Sequence, residues 1–186
     1  PGAGPIQLFL SGQAKQHGVA VLGWHDAVVV TLRALGAAQI IFAAQRLGDL
    51  DDLFSSERGD AVTVSVRKGL GAILQRHGVN LVLSGEGNSY ERSRALLGGL
   101  DNPIPGPLTN RVVTSRDGIV FVRAGSGGRT TFGTWLSETL PDWSARRDNS
   151  RAVYLGVVAN GESLGVVAYG LDVNGRRNAI DSVEIR

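Results

Sequence analysis

The sequence predicts an α/β fold in which parallel strands come first and antiparallel strands fill the C-terminal half. Three observations carry this expectation. Two continuous apolar runs, Val19-Ala20-Val21-Leu22-Gly23-Trp24 and Val79 to Leu83, are flanked by glycine, the pattern of strands buried on both faces. Between them Val66, Leu70, Ile73 and Leu74 recur at helical spacing, so strand, crossover and strand give a parallel pair with helical cover. Beyond residue 107 the pattern changes to shorter runs joined by tight turns such as Asn174-Gly175.

In order along the chain, Ile6 to Gln16 reads as a short helix ended by His17-Gly18, and Val19 to Trp24 as the first strand, with His25-Asp26 at its carboxyl end. Most of 31–46 is expected to be helical, since Ala27 to Ala44 is rich in alanine, valine and leucine. The acidic stretch from Gly48 to Asp60 is a surface connection. Its aspartates lack the glycine and terminal glutamate spacing of a calcium loop. Val64 to His77 is the clearest helix, with Gly78 as its stop. Val79 to Leu83 is the next strand. The proline-rich segment 101–107 is the best place for an internal boundary within a single domain covering 1–186. Arg111 to Thr114, the turn Arg116-Asp117-Gly118 and Ile119 to Ala124 are expected to form a hairpin. Arg151 to Ala159 and Leu164 to Asp172 form another, and Asn174-Gly175 turns into a last strand, Ala179 to Ile185.

The chain has 186 residues, of which 42% are apolar, enough for one domain with a real core and too many for a disordered chain. The net charge of +2 is close to balance, and the arginine clusters at 146–151 and 176–177 read as solvated surface, so nucleic acid is not an expected partner. With no cysteine, any metal must be held by oxygen and imidazole. No apolar run is long enough to span a bilayer, and residues 1–12 lack the form of a signal peptide, so the reading is a soluble chain with no membrane partner. The chain starts at Pro1 and contains no methionine, which predicts processing or a piece of something longer.

Chemistry concentrates at Leu81-Val82-Leu83-Ser84-Gly85-Glu86-Gly87-Asn88-Ser89-Tyr90-Glu91-Arg92, an apolar strand running into a polar glycine turn. The segment resembles the Gly-His-x-His-x-Tyr-Glu-Arg motif of the calcineurin-like metallophosphoesterases, and within them the purple acid phosphatase branch. Gln75 to Gly85 resembles the helix end and strand before that motif, Ile119 to Gly128 the strand and glycine turn after it, and Tyr154 to Ile185, with Asp181, the closing strands. The resemblance is strongest over 73–92 and weak over 27–63. It implies a partial metallophosphoesterase-type β-sandwich flanked by helices, the C-terminal part of such an enzyme.

By that resemblance His25, Glu86 and Asn88 stand at metal-ligand positions. His25-Asp26-Ala27 is similar to the family's His-x-Pro step, and Glu86 and Asn88 occupy the places of two histidines. A carboxylate keeps a donor and favours harder cations, while an amide is a weaker one. The family's upstream ligand and catalytic-histidine motifs have no counterpart in this chain. The implied cofactors are divalent ions (Mn, Fe, Zn, Mg or Ca), conditional on that reduced set, or none. The implied activity is metal-dependent phosphoric-ester hydrolysis, impaired or incomplete in this chain alone; the alternative is a non-catalytic binding or structural module. A small phosphate ester, a second copy or a complementary N-terminal chain are the expected partners, and an extracytoplasmic location is favoured by the resemblance alone. If half the sandwich is absent, an open parallel-sheet edge is expected, which would drive self-association or the binding of a partner fragment.

Each residue also has a plainer reading. A lone histidine such as His25 is more often hydrogen-bonded at a strand end than a ligand. Asn88 suits a turn, and Tyr90, Glu91 and Arg92 suit a local ion-pair cluster. Gly125-Ser126-Gly127-Gly128-Arg129 has the glycines to approach a phosphate, but without a Walker lysine a tight turn is the stronger reading.

Overall fold

A computed structural model describes residues 72–85, 88–98, 102–108, 111–114, 116–127, 131–159 and 163–186, together with the backbone of three earlier strands. Those three are β1 (Val19–Trp24), β2 (Ala27–Ala34) and β3 (Ala38–Phe42). They are followed by β4 (Val79–Ser84), β5 (Tyr90–Ser93), β6 (Leu96–Leu97), β7 (Ile104–Pro105), β8 (Val112–Val113), β9 (Val120–Ala124), β10 (Ser144–Asp148), β11 (Val153–Ala159), β12 (Leu164–Leu171) and β13 (Arg177–Ile185). A seven-stranded sheet runs in the order β1-β2-β3-β4-β9-β5-β10, and a four-stranded sheet in the order β11-β12-β13-β8. Strands β6 and β7 make a small ladder of their own.

The described residues are mostly strand, with helix only at 72–76, so the α/β expectation holds in part and the sandwich is its better-supported half. In the large sheet parallel pairing is real but interior: β3, β4 and β9 are the parallel neighbours, and antiparallel strands close both flanks. The first strand does not pair with Val79–Ser84 as expected. It pairs antiparallel with β2, and β2 antiparallel with β3. The helix expected over most of 31–46 is likewise replaced by the strands β2 and β3. Val28-Val29-Val30-Thr31 explains the correction, because four consecutive β-branched side chains crowd a helical turn and sit easily on a pleated surface. The helix expected at 6–16, the connection at 48–60 and the first part of the helix at 64–77 lie outside the described residues.

The end of that last helix follows the sequence closely. His77 N–H reaches the Ile73 carbonyl at 3.1 Å, Gly78 N–H closes back on Gln75 at 3.0 Å, and Gly78 turns the chain at φ +63°. A side chain would strain that conformation. Strand β4 then enters between β3 and β9 with five of its six residues buried. A bulge at Asn80, where consecutive β3 residues face Val79 and Leu81, swings Val79 to the helix side.

Two cores result. Leu81, Leu83, Tyr90, Val120 and Val122 of the large sheet meet Val153, Leu164, Val166, Ala168, Val183 and Ile185 of the small one. On the outer face, Leu74 of the helix covers Val79, Val82, Ile119 and Phe121. Period-two alternation divides β9 between them, with Val120 and Val122 inward and Phe121 and Arg123 outward.

The segment 111–124 is not the expected hairpin. Strand β8 pairs parallel with β13 in the small sheet, while β9 belongs to the large one, so the turn between them carries the chain from sheet to sheet. The turn itself is as read. The Asp117 carboxylate accepts from Thr114 N–H at 2.7 Å and from its hydroxyl at 2.9 Å. Gly118, at φ +112°, packs so closely that a Cβ there would lie 2.2 Å from the Leu96 carbonyl oxygen. The β11–β12 hairpin and the Gly175 turn into β13 form as expected, with β13 beginning at Arg177.

Candidate functional site

Parallel strands end together, and polar groups at their carboxyl ends face one region of solvent. β4 and β9 are parallel, and the two antiparallel steps from β3 leave β1 running in the same sense. Trp24, Phe42, Ser84 and Ala124 therefore close one end of the large sheet. Strand β5 starts at that end, since Tyr90 pairs with Ala124. The turn from Gly85 to Ser89 is consequently at the sheet end where the sequence places it.

Three residues were expected to meet there. His25 and Glu86 lie outside the described residues. Asn88 is half-buried, and its carbonyl accepts from Gly133 N–H at 3.0 Å, which ties the turn to the irregular segment 131–143. The strand leading to His25 is not a neighbour of β4 as the site required: β2 and β3 intervene. At ordinary strand spacing those three steps put the backbone of β1 about 14 Å from that of β4. A Cβ at Gly85 would meet nothing within 4 Å, so neither crowding nor a left-handed backbone dictates glycine there.

The residues after the turn are committed to structure, and alternation along β5 sorts them by face. Tyr90 and Arg92 point between the sheets, where both meet Asp181 of β13. The Tyr90 hydroxyl donates to Asp181 Oδ2 at 2.8 Å, Arg92 Nε donates to the same oxygen at 2.7 Å, and a second guanidinium nitrogen donates to Oδ1 at 3.1 Å. The side chains of Arg92 and Asp181 are 8% and 9% exposed, so this is a desolvated bidentate pair, not a surface one. Burial, then the charge and hydrogen bond of Asp181, push the Tyr90 hydroxyl well above its ordinary pKa against the opposing pull of Arg92. For Arg92 itself, burial lowers the pKa, but the hydrogen bond and charge of Asp181 outweigh it and the net shift is upward.

Glu91 faces the other way and is fully buried on the helix side. The Ser144 hydroxyl donates to its Oε1 at 2.9 Å, and Arg123 of β9 stands 3.7 Å from its Oε2 while donating to the Ser89 hydroxyl at 2.8 Å. The glycine turn that follows β9 is a tie as well. Gly125 N–H goes to the Ser89 carbonyl at 3.1 Å, and the buried Ser126 hydroxyl accepts from Val153 N–H at 3.1 Å, joining the two sheets. Residues 128–130 of that segment lie outside the described residues.

A metal centre needs several donors aimed at one point. Among the described residues no three histidine, aspartate or glutamate side chains gather in that way. Asp181 has both oxygens occupied, Glu91 is sealed between Ser144 and Arg123, and Asn88 offers one amide. The described donor set does not fit a two-metal centre.

Sequence reasoning singled out Asp181 only as part of the closing strands and passed over Arg123. Arg123 carried a usable signal, a charge inside an otherwise apolar strand that needs a buried partner, whereas Asp181 shares its strand with Ser182 and Glu184 and does not stand out. Sequence reasoning also passed over an aromatic and basic group on the outer face of the small sheet. There Tyr154 stacks on Tyr169 at 5.3 Å between ring centres, and Arg177 lies over Tyr169 at 5.4 Å.

The arrangement has a counterpart among solved structures. Purple acid phosphatase PPD1 from yellow lupin (Lupinus luteus) seeds superposes on 96% of this chain with a TM-score of 0.58 at 14% identity. The likeness is one of fold. This chain spans about a third of the lupin enzyme, covering 34% of it. Vps29 of Chaetomium thermophilum aligns with 94% of the chain and 64% of its own length, at 13% identity and a TM-score of 0.39, too low to bear on the architecture. No family model matches the sequence, and no curated protein does. Among the described residues no helix is long and apolar enough to cross a membrane.

Proposed function

We propose that this chain supplies part of a phosphoesterase-type frame, and that hydrolysis of a phosphoric ester is the activity of the assembled protein, with divalent ions as cofactor. The observation that supports this most is the superposition of nearly the whole chain on a purple acid phosphatase, together with a glycine turn at the sheet end where that resemblance expects ligands. The described donors do not complete a metal site, so the remaining ligands would come from residues beyond those described or from a complementary chain. What the described residues do is hold the turn. Ser89, Tyr90, Glu91 and Arg92 anchor its exit strand to β9, β10 and β13.

A second reading, a non-catalytic binding or structural module on the same fold, is favoured by one specific observation. Among the described residues, the two carboxylates beside the turn's exit strand, Glu91 and Asp181, are consumed in ion pairs and hydrogen bonds. Two measurements separate the readings. In the first, aryl phosphate hydrolysis is followed with added manganese or zinc. Metal-dependent turnover supports the hydrolase, and its absence at every metal concentration favours the module. In the second, Glu86→His with Asn88→His is titrated with zinc by calorimetry. Gained binding shows that the turn has the geometry of the family motif, and no binding counts against a metal site at the turn and so against the hydrolase.

A further inference from the structure

Among the described residues, the small sheet ends in a strand that nothing pairs with or covers along most of its outer edge. β11 reads Val-Tyr-Leu-Gly-Val-Val-Ala, seven residues without charge or proline, and β12 is its only strand neighbour among the described residues. Soluble proteins ordinarily blunt such an edge with lysine, proline or a covering segment, because its free N–H and C=O groups template another strand. On the outer face Val158 is 66% exposed and Tyr154 40%.

The register shows which groups are free. Leu171 N–H bonds the Ala152 carbonyl at 2.9 Å, so residues 152 and 171 form a bonded pair, and by alternation Tyr154, Gly156 and Val158 spend their backbone groups on β12. Val153, Leu155, Val157 and Ala159 therefore aim theirs at the open edge. Val153 is already occupied: its N–H reaches Ser126 Oγ at 3.1 Å, and its carbonyl oxygen would lie 3.3 Å from a Cβ at Gly127. Among the described residues, no other backbone group meets the edge from Leu155 to Ala159.

We propose that this edge is the docking site of a second copy of the chain, which adds its own β11 antiparallel across a two-fold axis at Val157 and joins two four-stranded sheets into one. This occupant is favoured by self-complementarity. In that register Val157 bonds its own symmetry mate and Leu155 pairs with Ala159, so every free donor meets a free acceptor and no like charges are opposed. Inward residues stay beside inward ones: Leu155 and Val157, partly buried against the core, are continued by Ala159 and Val157 of the second copy. Outward, the exposed Val158 lies opposite Gly156, over which the Tyr169 ring of the same chain packs, so Val158 is set beside an aromatic edge. The axis also keeps the second strand clear of the Ser126-Gly127 loop.

Light scattering after size exclusion, over a concentration series of the full chain, tests the proposal. The unaltered chain should be a dimer that dissociates on dilution. Val158→Lys, on an exposed position outside the core, should raise the dimer dissociation constant at least about tenfold while leaving the circular dichroism spectrum unchanged. Val157→Pro removes an edge N–H without touching the β11–β12 ladder and should do the same. A monomer at every concentration would overturn the proposal. So would a dimer indifferent to Val158→Lys, or open-ended assemblies in place of a dimer.

Discussion

Asp181 is the residue on which the two sheets depend most directly. It accepts three hydrogen bonds from Tyr90 and Arg92, and all three cross from one sheet to the other. Truncating one member of a desolvated pair leaves the other charge buried and unpaired, so Asp181→Ala should lower the unfolding free energy by about 3–5 kcal/mol in urea denaturation. A loss below about 1 kcal/mol would mean that the pair is hydrated and contributes as a surface bridge does. Tyr90 adds a pH dependence. Its pKa is raised in the folded state, so the folded protein holds the phenolic proton more tightly than the unfolded chain. The associated stability is present in full below the ordinary tyrosine pKa of about 10 and is lost as pH rises toward the elevated folded value. Denaturation midpoints should therefore fall above about pH 10, and Tyr90→Phe should flatten that decline. An unchanged slope in Tyr90→Phe would assign the alkaline loss elsewhere.

At the scale of elements, the turn at 114–118 matters more than its length suggests. It moves the chain from the short strand β8 in one sheet to β9 at the centre of the other, and Gly118 makes the crossing possible by lying against the Leu96 carbonyl. Gly118→Ala combines a left-handed backbone with a clash that involves main chain and cannot be relieved by a rotamer. It is expected to cost at least about 1–3 kcal/mol, read from the thermal midpoint. A neutral result would show that the corner shifts freely. The same corner shows where sequence reading reached its range. Arg116, Asp117 and Gly118 announced a turn correctly, because the carboxylate cap and the glycine act within five residues. Nothing local says whether a turn returns a strand to its neighbour or sends it to another sheet. That choice belongs to the distant β13, which claims Val112-Val113.

For the whole molecule, the main core is shared by both sheets, which predicts that they unfold together. In native-state hydrogen exchange the slowest amides of β4, β9, β12 and β13 should report one opening free energy, equal to that from denaturation. Markedly faster exchange throughout β12 and β13 would show that the small sheet opens on its own. The sequence by itself determined the local features: the buried strand Val79–Ser84, the stop at Gly78, the β11–β12 hairpin, the Gly175 turn and the motif that resembles the phosphoesterases. Side-chain periodicity, glycine conformation and turn chemistry act over a few residues, so they are legible in order. Only the tertiary structure decided that β2 and β3 separate β1 from β4, and that Arg92 pairs with a residue 89 positions away instead of forming a local cluster. It also decided that the glycine turn at Ser126 fastens one sheet to the other. Such pairings arise from burying charges and apolar faces against whichever distant partner satisfies them, and the partner's identity is a property of the packed chain.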